Sequence, residues 1–245
     1  MVKAGEIINF IEKEFPISLK YDWDSTDGLI CGNIEKEVKK VILSLELRKG
    51  LLNRNAELII LHHPPIFGAE KEITNPYYKR ECSKIIYSIH SRIDRKGLMG
   101  LGIAKKIFNE NFKIEKILSD GTVIILLPER ISVDELIKII KSKLKISSIK
   151  TLISIDYAKK IAIHGGEGFN RHHIKDALEE GVDTYLAGDM NHHSAESACF
   201  FDKNFIDIEH VTEQEGLRLL SVILKKEFPS LNFEFIEQKT YWKIK

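Results

Sequence analysis

Leu58-Ile59-Ile60-Leu61-His62-His63-Pro64-Pro65 is the stretch on which the reading of the fold turns. Four apolar residues, two of them β-branched, suit a strand buried on both faces, and the run stops abruptly in two histidines and two prolines. Successive strand residues point to opposite faces, so two adjacent rings cannot aim at one place from a regular strand. Pro64 and Pro65 force the chain out of the ladder, which frees both rings to turn to a common side. In α/β sheets, ligand-binding groups collect beyond the carboxyl ends of strands. The stretch predicts a buried strand with a polar, ligand-rich tip.

Working upstream, Val41 to Leu45 reads as a second buried strand, with a helix expected through Leu51 and Leu52 before Leu58. Ala4, Ile7, Ile8 and Ile11 recur at helical spacing, so an amphipathic helix opens the chain and ends before Pro16. Downstream, Ile85, Ile86, Tyr87 and Ile89 form either a strand leading to His90 or the tail of a helix. Gly97, Gly100 and Gly102 introduce a helix through Ala104 and Ile107. Thr122 to Leu127 is a strand stopped by Pro128, and Ser132 caps the next helix with Glu135 at the capping-box position. A second block repeats the rhythm: strand Lys160 to Ile163, a helix around Ile174 to Leu178 ended by Gly181, strand Thr184 to Ala187, and a helix through Ala195 and Ala198. A strand around Phe205 to Ile208, a helix Leu217 to Leu224 and a strand Asn232 to Ile236 complete it. Such alternation predicts an α/β chain of two mixed-sheet lobes with helices packed on the sheets. A boundary near residues 110–125 gives approximate lobes 1–115 and 116–245, continuous or discontinuous, within one family domain spanning 1–245.

Lys and Arg number 37 against 36 Asp and Glu, so a formal charge of +1 provides no broad field for nucleic acid. Three cysteines without a CxxC pair argue against a disulfide framework and a zinc ribbon, and are expected as reduced thiols. Charges interrupt the apolar residues of Met1 to Glu12, so no signal peptide or membrane span is expected, and the reading is cytoplasmic.

His62, His63, His192, His193 and His210 all fall just after expected strands. Imidazole and carboxylate are ordinary ligands for zinc, iron or manganese, but no HExxH helix is present, so any metal site must be assembled by tertiary folding. His90 and Asp94 either chelate from one helix face or form a salt-bridge face with Arg92 and Arg95. His210 and Glu213, three apart, share one side of a first helical turn, where the carboxylate also complements the helix dipole. His172 and His173, beside Arg171 in a polar turn, read as solvated or at the rim of a cavity rather than as ligands. Gly165-Gly166-Glu167-Gly168 has the shape of a phosphate cradle but lacks the P-loop Lys, and Glu167 would repel an anion.

Taken in order, Leu61-His62-His63-Pro64, His90-Ser-Arg-Ile-Asp94, Ala187-Gly188-Asp189-Met190-Asn191-His192-His193 and Glu209-His210-Val-Thr-Glu213 resemble the YbgI-like, NIF-three-like family, often described as type two GTP cyclohydrolase I homologues. The resemblance spans nearly the whole chain. It implies a two-lobe α/β fold with two divalent metal ions in the cleft between the lobes, assembled as a ring-shaped homohexamer, a trimer of dimers. It implies His62, His63, Asp94, His210 and Glu213 as metal ligands, and His192 and His193 as proton-handling groups. His90 matches a histidine that is either a further ligand or a support for one. This chain departs from the family in reading Arg92 where Asn is usual, and in spacing its last His and Glu three apart rather than four. The implied function is metal-assisted hydrolysis of a small nucleotide-like substrate. The alternatives are a non-catalytic metal scaffold and a nucleic-acid-binding ring lined by Lys79-Arg80 and Arg92-Arg95-Lys96, which the charge balance disfavours.

Overall fold

A computed structural model describes residues 1–24, 27–48, 50–65 and 84–242. In chain order the elements are β1 (Val2–Lys3), α1 (Ala4–Glu14), β2 (Gly28–Cys31), β3 (Glu37–Val38), β4 (Lys40–Ser44), β5 (Leu58–Leu61), β6 (Ile85–Ser88), α2 (Ser91–Arg95) and α3 (Leu98–Phe108). They continue with β7 (Lys113–Ile117), β8 (Val123–Ser132), α4 (Val133–Leu144), β9 (Thr151–Leu152), β10 (Tyr157–Ile163), α5 (Arg171–Glu179), β11 (Thr184–Ala187), α6 (His192–Ala198), β12 (Asn204–Asp207), α7 (Gln214–Glu227) and β13 (Asn232–Ile236). Two compact units result: Met1–Lys96 with Leu217–Gln238, and Gly97–Gly216 with Lys239–Lys245.

The first unit carries a five-stranded sheet in the order β13-β4-β5-β6-β2, parallel except for the last pair. Its central strands are buried on both faces, as their uninterrupted apolar sequences require. Ile42, Ile59 and Ile86 lie in register and pack with Leu51, Ala56 and Leu61. On the opposite face Tyr87 reaches Glu12 of α1 through its hydroxyl. Parallel pairing brings the ends of β5 and β6 level, with Leu61 opposite Ser88, so His62-His63 and His90 leave the sheet at the same edge.

The second unit is built on a six-stranded mixed sheet, β7-β8-β10-β11-β12-β9. Alternation sorts its residues. Val123, Ile125, Ile161, Ile163, Leu186 and Ile206 pack with Ile103, Ile107, Leu136 and Ile140 of α3 and α4. Ile124, Ala162, Tyr185 and Phe205 pack on the other side with Ile174, Ala177 and Ala198 of α5 and α6. β10, β11 and β12 are mutually parallel and deliver His164, Gly188-Asp189 and Glu209-His210 to one edge. Edge strand β7, Lys-Ile-Glu-Lys-Ile, is exposed throughout.

The α/β architecture agrees with the sequence reading, with four local differences. Leu51 and Leu52 belong to a three-residue 3₁₀ turn rather than a helix, because Gly50 before them is left-handed and Arg54 after them is extended. Pro128 does not stop β8: the ladder passes from Leu126–Lys160 to Ile131–Ala158, and the skipped residues 127–130 form a bulge where a missing amide costs nothing. Gly100 and Gly102 lie inside α3, not ahead of it; a Cβ on Gly102 would stand 2.5 Å from the backbone of Glu215. Cys31 is disulfide-bonded, against the expectation of reduced thiols, since pairing follows spatial proximity rather than sequence spacing; Cys199 is free and exposed. Cys82, Lys79 and Arg80 lie outside the described residues. Among the described residues no helix is long and apolar enough to cross a membrane.

Candidate metal centre

In the first unit His62, His63 and His90 converge. Ring centroids lie 4.8 Å apart for His62 and His63, 5.0 Å for His62 and His90, and 5.6 Å for His63 and His90. One ring nitrogen from each falls within 4.8 Å of the others. The backbone explains the convergence: His62 and His63 still donate their amides to Ser44 and Leu45, and the chain leaves the ladder only afterwards. His62 is fully buried, and its Nδ1 faces the Ile89 carbonyl at 3.1 Å. A carbonyl only accepts, so Nδ1 is the donor to it and Nε2 is the nitrogen turned toward Asp94, 3.4 Å from its Oδ1; a ring nitrogen and a carboxylate oxygen so placed suit a shared cation.

His63 Nδ1 lies 3.5 Å from Glu46 Oε1, and His90 Nδ1 lies 3.1 Å from Oδ2 of buried Asp24. That same Asp24 oxygen accepts the Ser91 amide and hydroxyl at 3.0 and 2.6 Å. Burial alone would raise Asp24, but His90 and Ser91 outweigh it and hold its carboxyl below the ordinary value. Burial likewise opposes a proton on His90, and Asp24 and Asp94 overcome it, so the ring titrates above its ordinary value.

Arg92 turns away from these groups. It is fully buried and paired with Asp27 through Nε (3.1 and 3.0 Å) and a terminal nitrogen (2.7 Å). It also donates to the Phe15 carbonyl at 3.1 Å and the Tyr87 hydroxyl at 2.7 Å. Its charge is spent inside the unit, and Asp94 keeps its place beside His62. Arg95 lies over the Tyr21 ring and bonds the Leu19 carbonyl, so Arg92-Arg95-Lys96 is not a continuous basic stripe.

In the second unit His210 sits between two carboxylates, with Nδ1 2.5 Å from Asp189 Oδ2 and Nε2 3.1 Å from Glu213 Oε2. The unusual His-to-Glu spacing has a local cause: His210–Glu213 is a 3₁₀ turn, in which residues three apart eclipse. Burial would lower His210, but Glu213 and Asp189 outweigh it and raise the ring to about 11. Asp189 and Glu209 both have positive φ, +65° and +63°, backbone strain of the kind that collects at functional sites. The Gly165-Gly166 turn cradles Glu213 rather than a phosphate: Gly166 has φ +62°, and a Cβ there would overlap the Glu213 carboxylate. Gly166→Ala is therefore expected to cost about 1–2 kcal/mol from the left-handed backbone alone and to displace Glu213. Thermal melting checks this, and an unchanged Tm counts against the packing described.

His192 and His193 form the exposed first turn of α6, where Asn191 caps the Ser194 amide. Their rings lie 5.4 Å apart, and His193 faces Glu196 at 3.7 Å; the fold gives this pair to solvent. His172 is exposed as well, and His173 is half-buried against Asp120. Sequence reading missed the acceptors Asp24, Glu46 and Asp189. Only Asp189 carried a signal, lying inside a quoted motif.

Donor sets of imidazole nitrogen and carboxylate oxygen, set at the carboxyl ends of parallel strands, define an α/β protein equipped to bind divalent metal. The model of the Duf34/NIF3 (NGG1p interacting factor 3) family matches residues 2–241, and the chain belongs to that family. It is 29% identical over 257 residues to the GTP cyclohydrolase 1 type 2 homolog of Clostridium perfringens, covering 97% of each protein. It is 28% identical to the protein of that name from Methanocaldococcus jannaschii, covering 95% of this chain and 100% of the relative. Among solved structures, hypothetical protein SA1388 of Staphylococcus aureus shares the fold with a TM-score of 0.85 at 22% identity over 99% of both chains. Reduced HcgD from Methanocaldococcus jannaschii gives a TM-score of 0.79 at 27% identity over 97% of this chain and 98% of its own.

Proposed function

We propose that this chain is a cytoplasmic dinuclear metal-binding protein that carries out metal-assisted hydrolysis of a nucleotide-like substrate. One observation carries the reading. His62, His63, His90 and His210 each turn Nδ1 toward an acceptor: the Ile89 carbonyl, Glu46, Asp24 and Asp189 respectively. Metal-ligating histidines hold their second nitrogen in this way, which fixes the tautomer and orients the donor. His62, His63, Asp94, His210 and Glu213 are the proposed ligands, with His90 beside His62 and His63. Zinc, iron and manganese all accept this set. When bound, a divalent pair supplies Lewis acidity and brings the pKa of water toward neutrality. Proton exchange is assigned to His192 and His193, whose exposure lets both rings equilibrate with solvent.

The name shared by the relatives supports a purine nucleotide as substrate; hydrolysis at purine C8 would release formate. Assembly as a homohexamer belongs to the same reading, and light scattering should find six chains per particle. Metal content should fall by about two ions per chain from wild type to a His62→Ala/His63→Ala protein that still folds. Formate release from GTP should vanish in His63→Ala. Metal retention without turnover of any nucleotide in a panel would favour a non-catalytic scaffold.

A further inference from the structure

The second unit contains another group of donors, built by three separate elements. Asp120 comes from the turn between β7 and β8, His164 from the end of β10, and His173 from the first turn of α5. One donor atom from each lies within 4.8 Å of the others. Asp120 and His164 are buried and His173 half-buried. The two imidazoles stack with centroids 4.4 Å apart and planes at 26°. His173 Nδ1 is hydrogen-bonded to Asp120 Oδ2, and His164 Nδ1 lies 4.0 Å from the same oxygen. Thr122 completes the group, its hydroxyl 3.0 Å from Asp120 Oδ2 and 2.9 Å from His164 Nδ1, while its amide donates to Asp120 Oδ1 at 2.9 Å.

We propose that Asp120, His164 and His173 form a further binding site for a divalent transition metal of the zinc class, separate from the His62, His63, Asp94, His210 and Glu213 set.

The chemistry fits in three respects. Two nitrogens and one carboxylate oxygen, with an open fourth position, are a standard zinc complement. Bonds of about 2.0–2.1 Å to a tetrahedral ion put neighbouring ligand atoms roughly 3.3–3.4 Å apart. The His164-to-Asp120 gap therefore has to close by less than an ångström, and the His173 nitrogen has to withdraw slightly. The charge state also suits a cation. Burial and then His173 push His164 down to about 4, leaving it uncharged at neutral pH. Burial would raise Asp120, but His173 and the Thr122 amide overcome it and hold the carboxyl at about 2. The Thr122 amide fixes the second carboxylate oxygen, so the first is already oriented. A metal would replace the His173 Nδ1 proton that now bridges to Asp120 and take His164 Nδ1 over from the Thr122 hydroxyl, leaving the Thr122 amide on Asp120 Oδ1.

The test uses the full chain dialysed against zinc, with His173→Ala and, as a milder change, His173→Gln. His173 is half-exposed in a helix start whose cap comes from Asn170, so both variants are expected to fold, which circular dichroism checks. In a His62→Ala/His63→Ala background, elemental analysis should find about one zinc per chain, lost when His173→Ala is added. The visible absorption of tetrahedral cobalt(II) should disappear in step. No zinc in the background protein, or zinc and cobalt spectra unchanged by His173→Ala, would overturn the site. The two proposals fail separately: if only the dinuclear one fails, the wild-type metal is lost in His173→Ala and kept in His62→Ala/His63→Ala. If only this one fails, the pattern reverses.

Discussion

Arg92→Met should lower folding stability by about 3–5 kcal/mol, because it strands a buried carboxylate. Arg92 and Asp27 both have fully buried side chains, and Arg92 engages both oxygens of the Asp27 carboxylate. The Tyr87 hydroxyl and the Phe15 carbonyl lose their donors in the same step. Lysine should rescue little, since an ammonium cannot reproduce the two-pronged contact or reach three acceptors at once. Urea unfolding reads the effect as a drop in midpoint at constant slope. A double change, Arg92→Met with Asp27→Leu, should recover much of the loss, since the cost lies in the unpaired charge more than in the pair itself. A single-variant loss under about 1 kcal/mol would mean that Asp27 finds water or another partner. The effect should reach the site as well, because Arg92 lies in α2 between His90 and Asp94.

The second large effect concerns Asp189. Asp189→Asn is expected to weaken metal binding about 10–100-fold, the usual consequence of removing a carboxylate that orients a ligating histidine. Asparagine isolates the charge: it tolerates the left-handed backbone that Asp189 adopts at φ +65°, and it keeps an oxygen to accept from His210 Nδ1. Asp189→Ala mixes that loss with backbone strain and serves as the comparison. Metal must displace the proton that Glu213 and Asp189 hold on His210, so binding should strengthen as pH rises. Competition against a chelator of known affinity gives the measurement. An Asn variant that binds metal like wild type would show that Asp189 merely ties down a turn.

The parts of this protein that could be read in advance share one property: their information is local. Apolar runs at Leu58–Leu61, Thr184–Ala187 and Phe205–Ile208 announce buried parallel strands because both faces must be covered, and the donors just beyond them are visible in the same few letters. Edge strands escape this logic. β7 has no buried residue, and β9 is two residues long. Pro128 misled for a related reason, since its effect on a strand depends on whether the neighbour offers a partner at that position, and here it offers none. At the site, the histidines could be found but their supports could not. Asp24 lies 66 positions from His90 and Asp189 lies 21 from His210, and only folding makes either a neighbour. Arg92 looked like an intruder among the ligands because sequence gives adjacency without direction.

The tight turn carrying His210 and Glu213 bears on how such motifs drift. Shortening a segment by one position need not discard a donor if the local coil winds more tightly to match, trading pitch for length. A pattern search that insists on a fixed gap between those two letters would pass over chains whose backbone has made that adjustment, and would report as lost a pair that still meets.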